Sequence, residues 1–162
     1  MRKYLYVVFF PLALSLGSCN QGKNSDAATA ADSLATSVQC YTSVFETDTA
    51  YLKTVTDTSG KVTGELTISF GELKPNSMEK MVNVGEIKGN FRGDTLFADY
   101  TYKSGTINKE TFKNPVAFLK RGDTLILGVG DIETYLGRSY FVAGKPIDFE
   151  ISKFKFGPIT CQ

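Results

Sequence analysis

The chain has no histidine and no tryptophan, and its three cysteines form no C-x-x-C pair. Each absence closes off some chemistry. Without an imidazole, a serine or cysteine nucleophile has no ordinary general base, and no set of nucleophile, base and orienting group is visible. A zinc or copper site would have to be built from carboxylates alone, a donor set better suited to calcium or magnesium. No acidic loop of EF-hand spacing is present to hold calcium. The reading is of a non-enzyme with no catalytic residue, no metal ligand set and no cofactor. Net charge is also low, +1 at pH 7, so nothing in the balance calls for nucleic acid or an anionic surface as partner.

Long hydrophobic runs are missing too. The one strongly apolar stretch, Tyr4–Leu16, is thirteen residues long. As a helix it would measure about 20 Å, short of the roughly 30 Å core of a bilayer. It follows Arg2 and Lys3 and leads into Gly17-Ser18-Cys19. A basic head, a short apolar segment and small residues at its end are the parts of a secretory signal. A buried core helix is the competing reading, disfavoured by the terminal position, the basic head and Pro11.

Leu16-Gly17-Ser18-Cys19 resembles the lipobox of bacterial lipoproteins, in which Leu, two small residues and Cys mark the cleavage point. The resemblance implies removal of residues 1–18, a diacylglyceryl group on the Cys19 sulfur and an acyl chain such as palmitate on the new amino terminus. Two or three chains anchor durably where one is marginal. Residues 19–37 are then the lipidated Cys and a tether, since the run NQGKNSDAATAADSLATS holds too little apolar area to order itself. Asn at position 20, where Asp retains enterobacterial lipoproteins in the inner membrane, implies a lipid anchor in the outer membrane, facing periplasm or cell surface. Loss of Arg2 and Lys3 leaves 16 basic against 17 acidic groups, a formal −1.

With Cys19 assigned to lipid, Cys40 and Cys161 remain as an even pair in an oxidising compartment, where disulfides persist. The reading is a bridge joining the two ends of the folded part, residues 38–162. Two buried free thiols are the alternative.

That part reads as strands. In VTGELTISF, Val62, Gly64, Leu66, Ile68 and Phe70 alternate with Thr63, Glu65, Thr67 and Ser69, the period of a half-buried strand. Ile87, Gly89 and Phe91 alternate likewise with Glu86, Lys88, Asn90 and Arg92, and Leu96, Ala98, Tyr100 and Tyr102 share a face. Further strands are expected at Cys40–Thr47, Tyr51–Thr56, Val116–Arg121, Thr124–Val129, Arg138–Val142, Ile147–Ser152 and Phe154–Cys161. Ser59-Gly60, Gly93-Asp94, Gly122-Asp123 and Ala143-Gly144 supply the turns. Short strands in this rhythm point to an all-β fold. The expectation is an antiparallel up-and-down, lipocalin-like barrel of about eight to ten strands, because closure removes the edges. A β-sandwich is the alternative, weakened by the lack of Trp.

Two insertions interrupt the rhythm, Gly71–Val84 with Pro75, Met78 and Met81, and Tyr102–Asn114 around Gly105. Long loops of this kind carry function or nothing. Arg92-Gly93-Asp94 and Arg121-Gly122-Asp123 invite an adhesion reading, yet Gly-Asp at a hairpin tip is what the turn itself needs. Glu65, Glu86 and Asp99 would serve glycoside chemistry only if paired about 5–9 Å apart; on a polar strand face they read as solvated surface.

The runs TGEL (63–66), GEIKGNF (85–91), GDTLFADY (93–100) and PVAFLK (115–120) together resemble small uncharacterised Bacteroidota envelope lipoproteins. That resemblance implies a lipocalin-like barrel and carries over no catalytic residue. The copper-responsive lipoproteins with similar barrels use a C-x-x-C pair, which is missing here. The expected function is non-covalent binding of a small apolar ligand or lipid by the barrel, with membrane contact through the anchor and ligand-binding residues unassigned. Twelve Phe and eight Tyr suit a cavity or a packed core alike; Phe141, Phe149, Phe154 and Phe156 read as core. The alternative is an interaction lipoprotein with no ligand cavity that contacts an envelope protein through its loops, where Met78, Met81 and Val82 would be adaptable contacts.

Overall fold

A computed structural model describes residues 36–73, 79–105, 107 and 110–162. The expected signal segment, Cys19 and nearly all of the expected tether lie outside those residues, as do Pro75 and Met78. Among the described residues there are ten strands and no helix: β1 (Ser37–Phe45), β2 (Asp48–Thr56), β3 (Lys61–Ser69), β4 (Val82–Arg92), β5 (Thr95–Ser104), β6 (Phe112–Arg121), β7 (Thr124–Leu127), β8 (Ile132–Tyr135), β9 (Arg138–Phe141) and β10 (Lys155–Ile159). Eight of them close an antiparallel barrel in the order β1-β10-β7-β6-β5-β4-β3-β2, and β8 and β9 form a separate hairpin. The fold is the expected up-and-down barrel.

Alternation sorts the side chains. Across the wall, Tyr41 faces Leu52, Leu52 faces Leu66, and Leu66 faces Gly85, which faces Tyr102. Every second residue therefore meets the same interior. Leu52, Val62, Leu66, Ile87, Leu96, Phe118 and Phe156 are each 0 % exposed, so side chains fill the middle of the barrel. Phe118 meets Phe156 edge-on at 5.7 Å between centroids, the geometry that ring quadrupoles favour. The outer face carries Lys53, Glu65, Glu86, Lys88, Asp99 and Lys113, side by side across β2 to β6. Apolar inside and charged outside is the reverse of a bilayer-spanning barrel.

Inward-facing Gly64, Gly85 and Gly89 allow the wall to bend. A Cβ on Gly64 would run into the carbonyl of Lys53, one on Gly85 into that of Thr101 and one on Gly89 into that of Phe97. These glycines mark close approach of neighbouring strands at the bends of a small barrel, and they leave no space for a ligand. Gly93 and Gly122 take φ 59° at the first position of their two-residue turns, the place where a type II′ hairpin calls for Gly.

The first and last strands are stapled. Cys40 and Cys161 form a disulfide with Cα atoms 5.2 Å apart, as the sequence predicts. It lies beside the weakest seam: β1 meets β10 over three register pairs, and β10 meets β7 over two. Pro158, opposite Tyr41 in that seam, has no N–H to donate.

Three expectations need correction. Ile147–Ser152 is not a strand; it is held by a single bridge, Val129 to Asp148. The Asp148 Oδ1 accepts the N–H groups of Glu150 and Ile151 at 2.8 and 3.3 Å, a local turn that competes with a ladder. Ile132–Tyr135 is a strand that the pattern does not announce, because all four residues are exposed. The insertions are shorter than their sequence bounds: β4 begins at Val82, β5 continues to Ser104 and β6 begins at Phe112.

Candidate functional site at the open end of the barrel

The two ends of the barrel differ. One carries the start of β1, the disulfide and three tight connections, residues 57–60, Gly93-Asp94 and Gly122-Asp123. The other carries the two longer loops, 70–81 and 105–111, and the excursion 128–154 from β7 to β10. Because β7 stops at Leu127, it pairs with β6 only over Phe118–Arg121. The first half of β6 therefore has no barrel neighbour on that side. A recess of about 300 Å³ opens there, walled by Ile68, Asn83, Tyr100, Tyr102, Asn114 and Phe141, among others.

The wall of this mouth is aromatic. Tyr100 and Tyr102 stack at 4.5 Å between centroids, and Tyr102 stacks on Phe112 at 5.5 Å. Gly85 makes the stack possible, because a Cβ there would overlap Tyr102. At the bottom, the Tyr100 hydroxyl donates to the carbonyl of Leu66 at 2.9 Å. Burial holds the Tyr100 phenol far above its ordinary range, with a smaller contribution from Tyr102, and burial raises Tyr102 too. Both rings therefore stay neutral at any physiological pH.

Two amides supply the polarity. Asn114 Nδ2 donates to the Tyr102 hydroxyl at 3.1 Å. Asn83 Oδ1 is buried and accepts no hydrogen bond from the described residues. An unsatisfied buried carbonyl costs about 1–3 kcal/mol; this oxygen has no surface open to the recess, so a turn of the Asn83 side chain is needed to offer it to a bound N–H or O–H donor and recover that cost. Apolar walls with one or two fixed polar atoms are the usual make-up of a small-molecule site.

The other candidates are not brought together into a site. Glu86 pairs with Lys88 at 3.0 Å and Asp99 with Lys113 at 2.7 Å, all well exposed. Glu65 lies opposite Lys53 on one side and Glu86 on the other. These charges form a solvated stripe. Among the described residues, no group of three or more Cys, Asp and Glu is placed to hold a metal ion. The two Arg-Gly-Asp turns share the disulfide end, but both arginines already have partners, Arg92 over the Phe97 ring and Arg121 with Glu150 of the β7–β10 excursion. Phe154 and Phe156 are core, as expected, whereas Phe141 lines the mouth and Phe149 packs against Gly128.

The sequence reading grouped Tyr100 and Tyr102 on one face but assigned no ligand-binding residue. Asn83 and Asn114 were missed. Their signal is a polar residue on an inward position of an otherwise apolar register, Asn83 beside Ile68 and Asn114 beside Tyr100.

Comparison with known proteins finds no matching family model, no matching curated protein and no matching solved structure.

Proposed function

We propose that this protein is an outer-membrane-anchored lipoprotein whose barrel binds a small, largely apolar ligand or lipid at its open end. The anchor rests on the signal-like N-terminus and the lipobox resemblance at Cys19. The binding reading rests on one observation above the others: the stacked Tyr100–Tyr102–Phe112 wall ends beside a buried amide oxygen, Asn83 Oδ1, that no described residue satisfies. A ligand that fits presents a flat or chain-like apolar part to the rings and one hydrogen-bond donor to Asn83. The packed middle limits it to the depth of the mouth. Such a site supports carriage or sensing and needs no nucleophile.

A second reading, an interaction lipoprotein acting through its loops, draws support from that same packed middle. Native mass spectrometry of the mature protein recovered from its own envelope separates the two. The expected result is a stoichiometric extra mass that leaves on denaturation and is absent from the Tyr102→Ala variant. A bare chain in the wild type would overturn ligand binding and turn the search to protein partners of the loops.

A further inference from the structure

The β8–β9 hairpin is attached to the barrel but does not complete it. Its base, Ile132 and Phe141, lines the mouth recess. Phe141 also lines a second recess, on the outside of the wall, which Ser139 and Tyr140 share with Pro115, Lys88, Phe97 and Arg92, and Arg92 ends β4 at the Gly93-Asp94 turn. The hairpin therefore leads down the outside of the wall, away from the mouth and toward the end where the chain enters β1.

Its tip is unusual. Leu136 has φ 50° and Gly137 φ 74°, the pair of positive values that a type I′ turn demands and that Asn, Asp or Gly normally supply at the first position. A leucine resists that conformation, and this one gains no burial in return: Leu136 is 84 % exposed and Tyr135 70 %. Tyr140 is also exposed, with Arg138 over its ring at 5.7 Å. Strain held at an exposed position points to function.

We infer that this tip is a membrane contact, with Leu136 and Tyr135 entering the lipid interface while Arg138 stays over the Tyr140 ring. The inference rests on the lipid-anchor reading. Eighteen residue steps separate Cys19 from Ser37, so the start of β1 lies no more than about 65 Å from the anchored sulfur. That start is at the end toward which the hairpin leads. Tyr is a residue of bilayer interfaces, and an Arg stem lies along apolar surface while its head stays in water. Within that reach of the surface, a contact too weak to hold a free protein becomes intramolecular. Glu133 and Asp131 are on the same hairpin, the latter paired with Lys145, so the contact is apolar in character and insensitive to salt.

Because the chain has no tryptophan, Leu136→Trp gives a single-site probe, and Val44→Trp on the exposed outer face of β1 gives its control. The full acylated protein is reconstituted into phosphatidylethanolamine–phosphatidylglycerol vesicles, with and without brominated acyl chains. The Trp at position 136 is expected to shift to the blue and lose emission to bromine, at low and high salt alike, while the Trp at position 44 does neither. An unshifted, unquenched L136W probe in protein that stays on the vesicles, with acyl mass confirmed on Cys19, overturns the contact and leaves the anchor standing. A chain without acyl mass that leaves the vesicles overturns the anchor and the contact with it. A blue shift that needs no lipid and grows with protein concentration overturns the contact in favour of a second copy of the chain. Leu136→Asn, which suits the turn, is expected to keep the fold and to relieve the strain.

Discussion

Breaking the Cys40–Cys161 staple is expected to destabilise this barrel at least as much as removing any one core side chain. The bridge closes a loop of 121 residues, and the chain-entropy relation gives about 5 kcal/mol at 25 °C for that length. A domain of this size has in total about 5–15 kcal/mol of stability. The seam it guards has little else: three register pairs to β1, two to β7, and a proline among them. In urea unfolding, with a slope of about 1–3 kcal/mol per molar, the Cys40→Ala/Cys161→Ala variant should lose about 2 M or more from its midpoint. Chemically reduced wild type should lose nearly as much, which separates the crosslink from the small void left where Cys40 is buried. Hydrogen exchange should place the earliest opening at β10 and the facing part of β1, with β3, β4 and β5 last. A midpoint change below about 0.5 M, with uniform exchange around the barrel, would refute the reasoning and assign closure to core packing alone.

Other substitutions test other parts of the account. Phe118→Ala, at the centre of the filled interior, should cost about 3–5 kcal/mol in equilibrium unfolding. Ser43→Ala removes a buried hydroxyl with no partner among the described residues and should be neutral or stabilising by up to about 1 kcal/mol in the same measurement. Gly89→Ala places a Cβ on the Phe97 carbonyl and should cost more than the roughly 1 kcal/mol scale of strand propensity, with changed amide shifts on β4 and β5. The phenols of Tyr41, Tyr100 and Tyr102 all titrate above their ordinary 10.0 in the fold, chiefly because of burial. A raised folded value means that their contribution to stability is complete below pH 10 and is lost as pH rises from there through the folded values. Alkaline unfolding followed by tyrosinate absorbance should therefore shift to higher pH in Tyr100→Phe, if the loss of its bond to the Leu66 carbonyl is matched at neutral pH.

Much of the barrel was legible because its strands obey one simple rule. In β3, Val62, Leu66 and Ile68 are buried where the period-two pattern puts them, and the Gly-Asp turns fall between the strands they were expected to join. The pairing of Cys40 with Cys161 followed from redox context and counting. Where the reading missed, local chemistry or tertiary context prevailed. The Asp148 carboxylate captures two backbone N–H groups and turns an apolar run away from the sheet. Leu136 occupies a turn position that its side chain opposes, so no turn signal shows there. The mouth was not legible at all, because it depends on β7 being four residues long while β6 runs for ten. Neither length is written in the alternation of β6 or β7. Asn83 and Asn114 look like ordinary strand polar residues until register places them inside.

The side-chain amide signals of Asn83 and Asn114 test the central claim most directly. In an NMR titration of the oxidised protein with apolar extract of its own cell envelope, those two amides and the Tyr102 and Phe112 rings should shift together and saturate. The outer-wall residues Lys53, Glu65 and Lys113 should not move. Shifts confined to the outer wall or to the loops, with Asn83 and Asn114 unmoved, would contradict a ligand site at the open end of the barrel.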